Sequence, residues 1–361
     1  MIIAVDAMGT DACPVADVHG AVLAARERGL HVVLTGDETA IKRELAKYNT
    51  TGLTIDIVHA PQAITMHDKP SVIGKGKPDS SMHIALKMVK DKQADAFVTM
   101  GNTGAAHAVA MLHTVGRIRG VKRPALSAVF PVFGHPVIFT DIGANADAKP
   151  EWMVQFALMG AIYAERALGT SSNPRIGLLS NGEEEGKGNT LIRETAEILA
   201  RLPLNFVGNV EPKQVFHNQA DVVVSDGFVG NILLKTYEAG TRYLSEHIRR
   251  TIRANIVWTL AGAVLRPAFG RVRTKIDTTE VGGAPLLGVD GVVIIGHGSS
   301  NEIAVRNAVF QAERAVSGDI VNHIRQRSPR LWRCSKVYPR RVWYGPAAKR
   351  SATGSHHRYG G

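Results

Sequence analysis

Residues 221–235, DVVVSDGFVGNILLK, place an apolar run directly before a polar turn and a second apolar pattern. Three consecutive valines suit a strand that is covered on both faces. Gly227 and Gly230 would let the backbone approach an anion, and a helix beginning near Ile232 would direct its N-terminal amides at that anion. This order predicts a phosphate site. The alternative is an ordinary strand-to-helix turn in which Asp226 caps the helix.

A second candidate for chemistry is the loop 181–189, NGEEEGKGN, which follows the apolar run IGLLS. Lys187 stands between two glycines, so its ammonium could reach a phosphate or a thioester carbonyl oxygen. A solvated loop lysine is the alternative. The three glutamates 183–185 could ligate a divalent cation, but adjacent carboxylates point in different directions. We therefore expect a solvated turn and no metal site.

Two more loops repeat this chemistry. In GNTGAAHA, 101–108, the oxygens of Asn102 and Thr103 could cap a helix, or the helix amides could bind an anion. In GHGSSN, 296–301, His297 could transfer a proton or fix the loop.

Six loops of this polar, glycine-bearing kind each follow an apolar run. They are DAMGTD at 6–11, GNTGA at 101–105, DIGAN at 141–145, SNGEEEGKGN at 180–189, SDGFVGN at 225–231 and GHGSSN at 296–301. Ligands of open α/β sheets bind outside the carboxyl ends of strands, so we expect the six loops to converge on one cleft. The candidate substrate-contacting residues are Asp6, Gly9, Asn102, Thr103, Gly104, Asp141, Asn145, Gly186, Gly227, Gly230, His297 and Ser299.

The elements that must position these loops alternate along the chain. Short apolar runs at 2–9, 31–36, 53–60, 96–102, 125–132, 136–145, 175–182, 204–210, 221–227 and 291–298 predict strands. Segments with apolar residues at helical spacing, such as 150–168 and 189–200, lie between them. This alternation predicts an α/β fold with a doubly wound, mainly parallel sheet.

One segment departs from this alternation of strands and helices. Residues 251–275 predict a short apolar helical hairpin, within a region 240–280, that Pro267 and Gly270 interrupt. The segment has several arginines and no acidic residue. Such a surface suits anionic lipid, while a helix pair buried in a dimer interface is the alternative. The candidate contact residues are Ile256, Val257, Trp258, Leu260, Val264, Leu265, Arg253 and Arg266.

Composition sets further bounds. The 361 residues carry a formal charge of +11, but residues 328–361 hold six Arg, two Lys and no acidic residue. This basic, aromatic segment predicts a disordered tail that could touch RNA, lipid or an acidic protein, or be an appended extension, so the global charge assigns no function. Cys13 and Cys334 are too few for a disulfide framework. No apolar run is long enough to span a membrane and no basic leader precedes MIIAVDAMG, so we expect a cytoplasmic protein.

Several familiar signatures are missing. The chain has no GxxxxGK[ST] and no GxSxG, and DAMGTD departs from GxGxxG. These absences weaken the P-loop NTPase, α/β-hydrolase and Rossmann dehydrogenase alternatives. Positioning of an anion is the chemistry that remains.

The ordered set DAMGTD, GNTGA, DIGAN, NGEEEGKGN, DVVVSDGFVGN, GAPLLGVDG and GHGSSN resembles the bacterial phosphate acyltransferase family over roughly residues 1–325. The resemblance implies transfer of a fatty acyl group from acyl carrier protein to inorganic phosphate, at the start of phospholipid synthesis. It implies a three-layer α/β/α sandwich similar to phosphotransacetylases and to isocitrate and isopropylmalate dehydrogenases. It also implies a homodimer that contacts the inner face of the membrane peripherally through the hairpin. We expect one such domain at 1–327.

The same resemblance points to Lys187 and Asn231 as essential residues, with Asp226 beside them. Thr10 stands where the family usually has glycine. Because phosphate itself would attack the thioester, neither an enzyme nucleophile nor a redox cofactor is required. Nucleic acid is not an expected partner of such an enzyme. Two alternatives stay open: a phosphotransacetylase that uses short-chain acyl-CoA, and a non-catalytic membrane- or RNA-binding scaffold.

Overall fold

The computed structural model describes residues 1–69, 73, 76–132, 135–276 and 282–335. The strands are β1 Ile2–Asp6, β2 His31–Gly36, β3 Ile55–His59, β4 Ala96–Thr99, β5 Ala125–Val132, β6 His135–Thr140, β7 Ile176–Leu179, β8 Phe206–Val210, β9 Val222–Val224, β10 Ala284–Leu287 and β11 Val292–Ile295. Every predicted strand is present. The sequence pattern missed β10.

Helices connect the strands. They are α1 Val15–Arg28, α2 Glu38–Leu45, α3 Ser81–Lys90, α4 Thr103–Ala108, α5 Pro150–Tyr163, α6 Thr190–Leu199, α7 Pro212–Phe216, α8 Gly227–Arg253, α9 Ile256–Ile276, α10 Glu302–Ser317 and α11 Ile320–Ser335. Turns of π-helix at Val109–His113 and Ala164–Leu168 extend α4 and α5. Because α11 reaches Ser335, the first residues of the predicted disordered tail are helical. The rest of that tail, 336–361, lies outside the described residues.

The eleven strands form one sheet in the order β3-β2-β1-β4-β11-β10-β5-β6-β9-β7-β8. The first five strands in this order, β3, β2, β1, β4 and β11, run parallel to one another. The last four, β6, β9, β7 and β8, are also parallel to one another. Between these two halves, β10 pairs antiparallel with β11 and with β5, and β5 pairs antiparallel with β6. Three successive reversals leave the two parallel halves running in opposite directions. Their carboxyl ends therefore lie at opposite edges of the sheet.

The core has one layer on each face of the sheet. Alternate strand residues divide between the two layers, with Val222 and Val224 in one cluster and Val223 in the other. Helices α1, α5, α6 and α10 cover the first face, and α3, α4 and part of α8 cover the second. This is the predicted three-layer α/β/α sandwich.

Helices α8 and α9 form a helical hairpin whose turn lies within the predicted region 240–280, ahead of Pro267 and Gly270. The chain turns at Ala254 and Asn255, where the Asn255 side chain accepts a hydrogen bond from the Val257 amide at 2.7 Å. Helix α9 then continues through Pro267 and Gly270, which we had expected to interrupt it. An interior proline removes one backbone hydrogen bond, and here the rest of the helix persists around it.

The hairpin is strongly apolar at its surface. Ile256 is 73% exposed and Val264 is 80% exposed. The other exposed large apolar side chains of α9 are Val257, Trp258, Leu260, Leu265, Phe269 and Val272. Within the described ranges, no helix is both long enough and apolar enough to cross a membrane.

Candidate active site

The turn after β9 is built as a helix cap. Asp226 is buried, and its Oδ1 accepts hydrogen bonds from the amides of Phe228 at 2.9 Å and Val229 at 2.8 Å. The Gly227 amide donates to the carbonyl oxygen of Asn145, and the Gly230 amide donates to that of Asp226. The first four amides of α8 are therefore committed to the protein. These contacts favour the alternative in which Asp226 caps the helix, because Asp226 and Asn145 already accept from these amides.

The two glycines of this turn serve packing. A Cβ at Gly230 would lie 2.0 Å from the carbonyl oxygen of Asp141, and one at Gly227 would lie 2.8 Å from the backbone of Asn145. The start of α8 thus presses directly on the loop 141–145. The glycines permit that close approach of helix and loop.

Asp141 and Asn145 organise the same loop from inside. Oδ1 of Asp141 accepts from the amides of Leu126, Gly143 and Ala144, and Oδ2 accepts from the Asn145 amide and side chain, at 2.7–3.1 Å. Burial raises the pKa of Asp141, while these donors oppose the shift. The Asn145 side chain also donates to the Pro124 carbonyl at 2.7 Å. The Asp141 carboxylate and the Asn145 Nδ2 are therefore engaged within this loop and its neighbours.

Asn231 lies one turn into α8 and is partly exposed. Its Cγ would be 3.9 Å from a Cβ at Gly143, so the amide faces the loop 141–145. Within the described part of the chain, the Asn231 side chain has no hydrogen-bond partner. A polar amide that is left open beside a rigid loop is free to bind a ligand.

Lys187 is presented by the loop after β7, the strand next to β9. Gly186 and Gly188 flank it with φ values of +91° and +90°, a backbone that favours glycine. Asn181 holds this loop by accepting from the Gly188 amide at 3.0 Å. The Lys187 side chain is exposed and forms no ion pair among the described residues. Because β7 and β9 are parallel neighbours, Lys187 and Asn231 belong to the same edge of the sheet.

The remaining candidates lie at the opposite edge. Asp6 ends β1, is buried, and accepts from the Thr99 hydroxyl at 2.8 Å and the Met8 amide at 3.1 Å. Burial raises the pKa of Asp6. A Cβ at Gly9 would lie 2.8 Å from the Met100 amide nitrogen, so Gly9 lets the loops after β1 and β4 touch. Among the described residues, the six predicted loops therefore form two groups, which follow strands of opposite direction.

Asn102 has a double role at that second edge. Its Oδ1 accepts from the Ala105 amide at 3.0 Å and caps α4, as predicted. Its Nδ2 donates to the carbonyl oxygens of Thr65, Met66 and Asp68 at 3.0–3.4 Å. Thr103 and Gly104 beside it are exposed.

Sequence reasoning missed the loop that Asn102 holds. Lys77 donates to the carbonyl of Ala63 at 2.8 Å and pairs with Asp68 at 2.6 Å. The hydrogen bond from Lys77 lowers the pKa of Asp68 to about 2. The run KPSVIGKGKPD at 69–79 has the glycines and lysines of an anion-binding loop, and that composition was the available signal.

His297 and Ser299 form a local pair in the loop after β11. The His297 Nδ1 is 2.9 Å from the Ser299 hydroxyl and also accepts from the Ser299 amide at 3.3 Å. This contact favours the alternative in which His297 fixes its loop. His297 is exposed, so its other nitrogen is open to solvent.

Thr10, at the position where the family usually has glycine, fits the first turn without a positive φ. Its hydroxyl donates to Oδ2 of the fully buried Asp17 at 2.5 Å. The other oxygen of Asp17, Oδ1, has no partner among the described residues. Burial raises the pKa of Asp17 to about 7.

The glutamates 183–185 do not converge. Glu183 accepts a hydrogen bond from the Gln214 side chain, whereas the Glu184 carbonyl accepts from Asn209 at 3.3 Å. Among the residues that the structure describes, no cluster of His, Cys, Asp or Glu has the arrangement of a metal site.

Known proteins share this fold. A phosphotransacetylase from Streptococcus pyogenes superposes with a TM-score of 0.57 at 17% identity, covering 88% of this chain and 94% of that protein. A branched-chain phosphotransacylase from Enterococcus faecalis V583 superposes with a TM-score of 0.53 at 15% identity, covering 88% of this chain and 99% of that protein. At these identities the likeness concerns the fold, and it agrees with the predicted similarity to phosphotransacetylases.

Sequence comparison is more specific. A phosphate acyltransferase of Dictyoglomus turgidum is 47% identical over 322 residues, which cover 89% of this chain and 95% of the relative. A phosphate acyltransferase of Geotalea uraniireducens is 45% identical over 319 residues, which cover 88% of this chain and 92% of the relative. The family model described as fatty acid synthesis protein matches residues 1–323. The chain therefore belongs to the fatty acid synthesis protein family.

Proposed function

We propose that this protein is an acyltransferase that moves a fatty acyl group from acyl carrier protein to inorganic phosphate, giving acyl-phosphate for phospholipid synthesis. The observation that carries the proposal is the 47% identity to a phosphate acyltransferase over 95% of that relative. The family model covers residues 1–323, which include every loop that bears candidate chemistry, from Asp6 to Asn301.

In this reaction an oxygen of phosphate attacks the thioester carbonyl carbon. A C–O bond forms, the C–S bond breaks, and the thiolate of the carrier's prosthetic arm leaves and takes a proton from solvent. Both reactants must be held together, because proximity and charge stabilisation supply the rate enhancement. Asn231 would donate to phosphate, and Lys187 would stabilise the negative charge on phosphate or on the tetrahedral oxyanion.

Exposure and position support these two roles. Both side chains lie at the carboxyl edge shared by β7 and β9, and neither forms a hydrogen bond with another side chain in the described ranges. Asp226 has a different role in this proposal. It shapes the site as the cap of α8, since its carboxylate already binds two amides.

The partners follow from the same chemistry. Acyl carrier protein is acidic and would approach a basic surface, for which the arginines flanking the hairpin are a candidate. The exposed apolar residues of α9 would contact an anionic membrane peripherally, at the inner face of the cell membrane. The exposed faces of α8 and α9 would also suit the interface of a homodimer.

The decisive experiment measures thiol release from acyl carrier protein carrying a long-chain acyl group, with and without inorganic phosphate. We expect release that depends on phosphate and yields acyl-phosphate. Acetyl-CoA serves as the second donor, because a phosphotransacetylase would prefer it. Absence of phosphate-dependent release with either donor would reject the proposal and favour a scaffold.

A further inference from the structure

The turn that opens α8 cannot neutralise a phosphate through its backbone. Its first four amides donate to Asp226 and to Asn145, and the buried Asp226 adds a carboxylate at the same place. Phosphate near neutral pH carries between one and two negative charges. A ligand with that charge, placed beside Asn231, requires cations supplied by side chains.

Lys235 lies four residues after Asn231 on α8 and therefore one turn along the same face of the helix. Both residues belong to one open face of α8. The other residues of this face are Ile232, Thr236, Ala239, Gly240 and Tyr243, none of which is acidic.

The Lys235 ammonium is available to a ligand. The side chain is exposed, and within the described residues it takes part in neither a hydrogen bond nor an ion pair. The nearest acidic residue in sequence on α8 is Glu238, and it forms no ion pair with Lys235. A lysine without an internal partner, adjacent to an open amide, has the chemistry of a phosphate-binding residue.

We propose that Lys235 binds inorganic phosphate together with Asn231, as a substrate-binding residue that the sequence motifs did not single out. This inference rests on the proposed function. Lys187 would approach the same anion from the loop after β7, so two lysines would offset the negative charge of phosphate and of Asp226. Because Asn231 and Lys235 are one helical turn apart, contacts with both would orient phosphate along α8.

Steady-state kinetics of Lys235→Gln test the proposal. We expect KM for inorganic phosphate to rise by roughly 10- to 100-fold, the effect of losing a charge-assisted hydrogen bond, while KM for the acyl donor stays within about twofold. Lys235→Arg keeps the charge and should recover part of the loss. Arg242→Gln is the matched control, because it removes one exposed charge from the same helix about two turns beyond Lys235.

Three results would overturn the inference. They are an unchanged KM for phosphate, an increase confined to KM for the acyl donor, and an equal increase in KM for phosphate in Arg242→Gln. Thermal unfolding without phosphate should match wild type for all three variants. In its presence, the rise in Tm seen for wild type should be lost in Lys235→Gln. Wild-type protein that shows no phosphate-dependent thiol release at all would instead reject the proposed function.

Discussion

Gly230 packs against Asp141 so closely that a Cβ on Gly230 would lie 2.0 Å from the carbonyl oxygen of Asp141. The Ser225 hydroxyl donates to that oxygen at 2.8 Å, so the carbonyl is held in place from a second side. Five hydrogen bonds to the Asp141 carboxylate hold the rest of the loop. The start of α8 and the loop 141–145 thus form one rigid unit, and Asn231 projects from it.

Gly230→Ala should destabilise the protein by about 1–3 kcal/mol, because neither the helix nor the loop can yield without losing hydrogen bonds. The free energy of unfolding in urea measures this. Gly240→Ala is the matched control on the same helix, since a Cβ there meets nothing within 4 Å. Alanine at 240 should stabilise by up to about 1 kcal/mol. Equal effects at the two positions would contradict the proposed packing.

Asp226→Asn should retain most of the stability and activity, because asparagine also caps helix amides. Asp226→Ala should lose about 1 kcal/mol of unfolding free energy, together with some activity, as the start of α8 loosens. The two variants are compared by urea unfolding and by the thiol-release assay. An Asp226→Asn enzyme that is stable and yet inactive would show that the carboxylate acts on substrate.

The contrast between Asp226 and Gly230 shows what the sequence could predict. A helix cap is local, since Asp226 binds amides two and three residues away, and the order of residue types is enough to predict it. The contact of Gly230 is with Asp141, which lies far earlier in the chain. Only the folded sheet, in which β6 pairs with β9, brings them together.

The same limit explains the two groups of loops. Alternating strands and helices were sufficient to predict the layers and the parallel halves. They could not predict the direction of one half relative to the other, because that depends on which strands pair. Strand β10 has four residues and includes Pro285, so it lacks the pattern of a strand. Its two antiparallel pairings leave β5 parallel to β11, and the antiparallel pairing of β5 with β6 then reverses the second half.

Stability should fall as the pH rises, through Asp17. Burial raises its pKa to about 7, well above the ordinary value of an aspartate, so the folded state holds this proton more tightly than the unfolded state. The contribution of Asp17 is fully present below about pH 4 and is lost as the pH rises through 7. The Asp17→Asn variant removes this titration, so its stability relative to wild type should increase between pH 5 and pH 8. The midpoint of urea unfolding at both pH values measures this increase. A stability difference between variant and wild type that is the same at both pH values would argue against a buried acid.

Exposed apolar residues of α9 should bind membranes. The double variant Trp258→Ser with Val264→Ser should weaken binding to vesicles of anionic lipid by roughly tenfold or more, because each buried side chain contributes about 1.5–3 kcal/mol. Co-sedimentation with the vesicles measures this. Leu112→Ser is the control, since Leu112 is 66% exposed but lies outside the hairpin. Similar loss in the control would mean that binding is not specific to α9.

Arg253→Gln with Arg266→Gln should weaken the same binding at low salt and have little effect at high salt, because exposed charges are screened. The experiment compares co-sedimentation at two ionic strengths. A loss that does not depend on salt would indicate that the arginines act through packing of the hairpin.

Lys187→Ala should lower kcat by about 100-fold or more, the usual effect of removing one donor that stabilises developing charge. Because Lys187 is exposed and has no ion pair among the described residues, the free energy of unfolding should change by less than about 0.5 kcal/mol. Lys213→Ala is the control, since Lys213 is an exposed lysine whose partner is Glu211, at 3.0 Å.

A fall in kcat without a matching rise in KM would assign the Lys187 ammonium to the tetrahedral oxyanion, because that charge exists only in the transition state. A rise in KM for phosphate alone would instead assign it to the bound phosphate, and near-normal turnover would exclude both roles.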